Sequence, residues 1–589
     1  MNPFKYTSPE IIKPNDVIDL FVSVFTEYSH IPKVGHTFIN GSRGSGKSMM
    51  FRYMEPDCQR FIDQSGKRLK NQKAISELEY LAIYAPIKIG QYDIQELDLN
   101  AKGVYLLNEH LMCINIATDI VKTLKKIGIE NTASNIQHLK NFAQNEFQDE
   151  LYFAGCEEVV KADELESVEK ILDELSLTLR KVSSSFKRNY LNKLIGTIEP
   201  IPYDGPILLF RDFVLNVIRG LKKYDFFPAC PVYLLLDDAD ELNNYQKKIL
   251  NTWVSIRSTK DLSLKISTSH KYHIYTTTKN SRIDTPHDYS EVNLNDIYTT
   301  KKDLYYKRVY EIVRKRLKVY SDRSIQPEVY FPSDKKQEEQ IEKLFQQYKE
   351  KKLSEGKSKD QAYDFAYRYA RPDFIKNLKG NRYTFSYAGF DQLVNISSGV
   401  IRQFIEFASL MYDDQSKGEE IEFISDSIQN KVIKEYSDDK MTKEFDKDSD
   451  NSESKHDIYK LRNLIQGMGG LFKMILNSSV SERRVFSIAL NNEPNEELKS
   501  ILNLGVQLGY IQKSLIGNKY GTGKARLYVL NRILSPHFGL DPSSFAGYKF
   551  MDAESLAIAM KEPRKFNAIY KKKIQTVEGN SNDLFNDKE

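Results

Sequence analysis

The chain has 589 residues, 40% hydrophobic and 28% charged, and its 85 Lys plus Arg stand against 81 Asp plus Glu for a net charge of +4. At roughly 150 residues per domain, that length predicts about three or four domains, and the composition excludes a wholly disordered chain. So small a net charge leaves any affinity for nucleic acid or membrane to local patches.

Cys58, Cys113, Cys156 and Cys230 stand far apart, with no CxxC pair. This argues against a disulfide framework or zinc ribbon and predicts a reducing, cytoplasmic setting. No apolar run of about 18 residues exists, and the N-terminus, Met-Asn-Pro-Phe-Lys, lacks an apolar signal core, so no membrane association is expected.

In chain order, residues 15–30 predict a short amphipathic helix with Asn15 as N-cap. A strand from His36 to Asn40 runs straight into GSRGSGKS, and 80–89 predict a second buried strand. From 100 to 225 the pattern is helical: Leu165, Val168, Leu172, Leu175, Leu179, Val182 and Phe186 recur at steps of three and four, and 207–224 form a helix closed by Pro228. The apolar run at 231–242 ends in carboxylates, and a helix to Ile256 follows. Strands at 262–269 and 290–295 come next. Alternating strands and helices predict a parallel α/β sheet. Beyond residue 300, helices are expected at 301–319 and 399–412, with a charged insertion at 333–361 between them that reads as a solvated helix or loop. The polar stretch 438–457 reads as a linker, and the tail after 575 as disordered.

Gly41-Ser42-Arg43-Gly44-Ser45-Gly46-Lys47-Ser48 matches GxxxxGK[ST] in full. Glycines at Gly41, Gly44 and Gly46 let successive backbone N–H groups, with that of Ser45, turn inward around phosphates, and the following helix presents its positive end. Lys47 is expected to reach the β- and γ-phosphates of ATP, and Ser48 to bind Mg²⁺. The partner motif is Asp237-Asp238, at the end of Val232-Tyr233-Leu234-Leu235-Leu236. Strand C-termini are where parallel α/β sheets carry their sites. Asp237 is expected to hold the metal, and Asp238 to orient or deprotonate the attacking water.

GSRGSGKS, LLLDDADEL and the later SSGVIR together resemble the AAA+ ATPases, most closely the ORC/Cdc6-like branch with its bacterial relatives. The resemblance implies a parallel-sheet P-loop core of the ASCE/AAA+ kind with a helical insertion, a helical lid and a C-terminal winged helix. On this reading the core spans 1–298 with its insertion at 100–225, the lid 299–437, the linker 438–457, the winged helix 458–550, and a basic, then disordered, tail 551–589. By the same resemblance, strand 262–269 lies between the two motif strands, and Ser267-Thr268-Ser269 offers sensor hydroxyls, Thr268 foremost. Arg402 matches the second sensor; the apolar stripe Val400, Phe404, Phe407 and Met411 leaves it on the opposite helix face. An arginine acting on a neighbouring subunit is assigned first to Arg282, then to Arg257. The family's second acid is usually Glu, whereas Asp238 is one methylene shorter, which predicts slow turnover; an Asp-Asp pair also resembles the STAND class of nucleotide switches.

In the C-terminal module, 481–490 predict a helix, Pro494 opens a second, and IQKSLIG and ARLYVLN flank a glycine-rich turn as a hairpin. Helix, helix, hairpin resembles a winged helix. Residues 511–532 carry Lys513, Lys519, Lys524, Arg526 and Arg532 and no acid, a wing suited to a duplex DNA backbone, although Glu496 and Glu497 at the start of the second helix oppose phosphate. Lys561, Arg564, Lys565, Lys571, Lys572 and Lys573 form a further basic cluster. Two functions follow as expectations. One is an oligomeric, DNA-associated ATPase that loads or remodels a partner protein. The other is a STAND-like sensor in prokaryotic defence or signalling, acting through a separate effector.

Overall fold

The computed structural model describes residues 2–5, 9–23, 26–87, 101–195, 205–256, 260–269, 271–294, 302–321, 324–378, 384–447, 455–479, 484–517, 524–543 and 547–584. The chain divides into two compact units, Ser8–Asp296 and, with Met1–Thr7, Ile297–Glu589. Among the described residues no helix is long and apolar enough to cross a membrane.

The first unit is built on five parallel strands: β1 (Thr37–Asn40), β2 (Leu81–Pro86), β3 (Val232–Asp237), β4 (Leu262–Thr268) and β5 (Ser290–Asn293), in the order β2-β3-β4-β1-β5. All residues of β3 and β4 are buried, as expected of central parallel strands covered on both faces. Register sets Asn40 beside Thr268 and Pro86 beside Asp237, so the strand C-termini finish along one edge. The strand expected between the two motif strands is there, as β4.

Helix α1 (Pro14–Leu20) is shorter than predicted. It begins after Lys13 rather than Asn15, because Pro14 suits the first helical turn, and a separate 3₁₀ turn covers Thr26–His30. The insertion is helical, led by α2 (Ala101–Lys126) and α3 (Val168–Ile195). Ile171, Leu172, Leu175, Leu179 and Val182 of α3 share one apolar core with Leu234, Leu236, Leu264 and Ile266 of the sheet. The insertion is therefore part of the sheet's own core.

One polar feature of that core is unusual. Lys265, in the middle of β4, is wholly buried, and its Nζ donates to Lys33 O at 2.6 Å, Gly35 O at 2.8 Å and Thr37 Oγ1 at 3.0 Å. It ties the loop entering β1 to the sheet centre, with the Tyr233 ring 4.8 Å away.

The second unit opens with α4 (Lys302–Ser321). The stretch 333–361, expected to be a solvated insertion, belongs to a helical hairpin of α5 (Lys335–Ser354) and α6 (Lys359–Asn377), each with a side-chain N-cap, from Asp334 and Ser358. Next come α7 (Phe390–Ile396) and α8 (Ile401–Ser416), joined by a turn in which Ser398 (φ 54°) and Gly399 (φ 83°) are left-handed.

Part of the expected linker is ordered. Helix α9 (Asp426–Asp439) continues as helix through 447, and Met441 and Phe445, four residues apart on one face, are buried. Phe445 stacks on Tyr510 at 4.2 Å.

The C-terminal module begins with α10 (Lys455–Leu476). The helix expected at 481–490 is instead strand β6 (Val485–Leu490). All six of its residues are buried, and so short an apolar run carries no period that separates helix from strand. Helix α11 (Glu496–Gln507) and the antiparallel hairpin β7 (Ile511–Gly517) and β8 (Lys524–Leu530) follow in order. Strand β9 (Gly547–Met551) adds to the sheet parallel to β6. Helices α12 (Ala553–Lys561) and α13 (Pro563–Leu584) follow, the latter reaching into the stretch after 575 expected to be disordered.

The module is fastened to the helices that precede it. Ser398 O accepts from Gln512 Nε2 at 2.5 Å, Ser398 Oγ accepts from Arg532 N at 3.2 Å, and Tyr387 Oη donates to Ser535 O and Leu540 O at 3.2 and 3.0 Å.

Replacing Lys265 with Met strips two partly buried carbonyls of their donor. Lys265→Met is expected to lower unfolding stability by about 2 kcal/mol or more, read as a lower denaturant midpoint; an unchanged midpoint rejects the clamp.

Candidate nucleotide site

The loop between β1 and helix α2′ (Lys47–Met54) has the geometry that its glycines permit. Gly44 and Gly46 have φ of 82° and 99°, a region side chains other than Gly rarely enter. A Cβ on Gly41 would lie 2.6 Å from Ser45 Oγ, so the cradle closes only around glycine. Lys47 is buried, and its Nζ donates to Gly41 O at 2.8 Å and Ser42 O at 3.2 Å. Ser45 Oγ is buried with no hydrogen-bond partner among the described residues. An orphaned hydroxyl, a cation and the N-terminal end of a helix within one tight loop fit a polyanion.

At the neighbouring strand end, Asp237 is 2% exposed, and both of its carboxylate oxygens are taken by hydroxyls. Tyr84 Oη donates to Oδ2 at 3.0 Å, and Ser267 Oγ donates to Oδ1. The same Ser267 Oγ accepts from Asp238 N at 2.9 Å, which fixes the backbone where the chain turns. Asp238 sits there at φ 58°, left-handed, a conformation Asp tolerates better than most residues. Its carboxyl lines a cavity of about 380 Å³ together with Ser48, Arg52, Tyr84 and Lys126. Burial, and then the charge of Asp237, push the Asp238 carboxyl up to about 6, against the pull of Lys47. Arg43 of the loop also pairs with Glu241 at 3.0 Å, a second link between the two motifs.

The structure thus brings Ser48, Asp237 and Asp238 together, with Lys47 near enough to act on Asp238. Thr268 faces β1. Alternate strand residues face opposite ways, so while Ser267 meets Asp237, Thr268 Oγ1 donates to Asn40 Oδ1, and Asn40 in turn donates to Glu291 at 2.5 Å. Of the three hydroxyls at this strand end, Ser267 touches the acidic pair, and Ser269 instead donates to Asp240 at 2.6 Å. Arg282 lies on the loop between β4 and β5, exposed, 3.4 Å from Asp284. Arg402 is half-buried in the first turn of α8, in the second unit. Lys513 and Lys524 are exposed on the hairpin strands, and Arg526 pairs with Glu493 at 2.7 Å. Arg257 and Lys519 lie outside the described residues. Tyr84 escaped sequence reasoning: only the pairing of β2 with β3 brings it to Asp237, and nothing in its flanking residues signals that register.

Ser267→Ala removes a hydroxyl donor from Asp237 Oδ1 and an acceptor from the Asp238 N–H, leaving these two groups only their bond to each other at 3.2 Å. Phosphate release in the steady state is expected to fall about tenfold, the worth of one hydrogen bond to a charged group, and Thr268→Ala is expected to cost less. The reverse order rejects this placement of the hydroxyls.

Comparison with known proteins agrees with the site. The family model for ORC-CDC6-like proteins matches residues 2–550. Among curated proteins no match is found. The crystal structure of Cdc6p from Pyrobaculum aerophilum is similar at 11% identity, over 97% of this chain and 98% of that chain, with a TM-score of 0.26. A family match across nearly the whole length, on a chain whose phosphate loop and acidic strand end share one cavity, means that the chain belongs to the ORC-CDC6-like family of AAA+ P-loop ATPases.

Proposed function

We propose that this chain binds ATP with Mg²⁺, hydrolyses it slowly, and works as a homo-oligomer on duplex DNA to load or remodel a partner protein. The observation that carries the reading is the cavity shared by Ser48 and Asp238 beside the oriented Asp237. Bound Mg²⁺ supplies neutralisation and polarisation of the phosphate oxygens. Ser48 and Asp237 are the residues to hold it. The backbone N–H groups from Gly44 to Ser48 and the Lys47 ammonium bind and orient the phosphates. Asp238, with its carboxyl at about 6, is ionised at neutral pH and takes a proton from the attacking water at its carboxylate. Two arginines are proposed to complete the site: Arg402 as the lid's sensor and Arg282 acting on a neighbouring subunit. Lys513, Lys519, Lys524 and Arg526 are proposed as DNA contacts of the wing.

One observation favours a second reading, a STAND-like switch that acts through a separate effector. Asp238 is the shorter acid, held in a left-handed turn by Ser267, so it has little freedom to follow a water molecule.

Lys47→Ala is expected to weaken ATP binding about a hundredfold, the loss of roughly 2.7 kcal/mol of charge-assisted bonds; equal titration curves for variant and wild type sink both readings. Asp238→Asn is expected to keep binding while turnover drops by about 10²-fold or more. Duplex-stimulated turnover supports the loader, and tight binding with negligible turnover and trigger-dependent assembly supports the switch.

A further inference from the structure

We propose that the outer face of α13 is a binding site for the phosphate backbone of duplex nucleic acid, and that α11 is not. This rests on the reading that the chain works on duplex DNA, and it relocates the main contact.

In a winged helix, α11 is the helix placed to enter a groove. Here its entrance is acidic and already neutralised from within. Glu493 pairs with Arg526 at 2.7 Å, Glu496 with Lys499 at 3.1 Å, and Glu497 with Lys460 at 2.7 Å and Lys561 at 3.6 Å. The exposed remainder of the helix, Ser500, Asn503 and Gln507, carries no charge. A phosphate brought to this face meets three carboxylates, and the nearby cations are engaged with them.

Helix α13 has the opposite character. Phe566 and Tyr570, four residues apart, are buried against the module. Arg564, Lys565, Lys571 and Lys572 are exposed on the other side. The pairs 564–565 and 571–572 are seven residues apart, two helical turns or about 10 Å along the axis. Among the described residues Arg564, Lys571 and Lys572 pair with no carboxylate, and Lys565 meets only Glu562, at 3.4 Å. Four cations in two turns with one loosely held acid form a track for a polyanion.

The helix is seated firmly. A Cβ on Gly467 of α10 would lie 2.7 Å from Ala559 Cβ, and one on Gly470 would collide with the Asn567 side chain, so the three helices approach as closely as glycine allows. That seating also decides the class of partner. A basic helix that lies on a bilayer buries an apolar face in lipid, but the apolar side of α13 is occupied by its own fold.

The test uses the full chain and a labelled duplex of random sequence, with affinity measured from low to high salt. Arg564→Gln/Lys571→Gln/Lys572→Gln is expected to reduce the slope of log K against log salt by about three, and Lys571→Ala alone by about one. ATP affinity and thermal transition should match wild type, since all three side chains are exposed. An unchanged slope, loss of binding only in Lys513→Gln/Lys524→Gln, or tighter binding to anionic phosphatidylserine vesicles than to the duplex overturns the proposal. The wing-only result leaves the DNA reading standing, whereas a wild type that binds no duplex removes both.

Discussion

The parallel register of β3, β4 and β1 is the constraint on which the site depends. Parallel strands joined by crossovers finish at one edge, so the phosphate loop after Asn40 and the acids after Leu236 arrive side by side although nearly 200 residues separate them. A large helical insertion between β2 and β3 does not disturb this, because its apolar face joins the core that covers the sheet. Lys265 acts at the opposite end of β1, fixing the loop that enters it.

Electrostatics at that edge are arranged by neutral hydroxyls more than by ion pairs. Asp237 keeps its orientation through Tyr84 and Ser267, which donate hydrogen bonds without cancelling its charge. The neighbouring Asp238 feels that charge and its own burial, and its carboxyl rises accordingly.

Much of this was legible in the sequence. The GxxxxGK[ST] loop, the apolar run ending in Asp-Asp and the alternation of strands and helices carry their meaning in local spacing. What failed did so for physical reasons. Val485–Leu490 is buried on both faces and too short to show a period, so helix and strand looked alike. Met441 and Phe445 are two apolar residues in a polar stretch, and only their shared helical face turns a supposed linker into packed structure. Tyr84 depended on pairing between distant strands, information that no local window contains.

The turn at Ser398 bears on how the second unit is held together. A non-glycine residue held left-handed is strained by about 1 kcal/mol or more, and here its carbonyl and hydroxyl are capped by the hairpin strand and by Arg532. Pulling the hairpin away would bare a buried carbonyl while leaving the strained turn unsupported. The joint between α7 and α8 is therefore clasped to the hairpin, and parting the two means breaking both hydrogen bonds at Ser398 together.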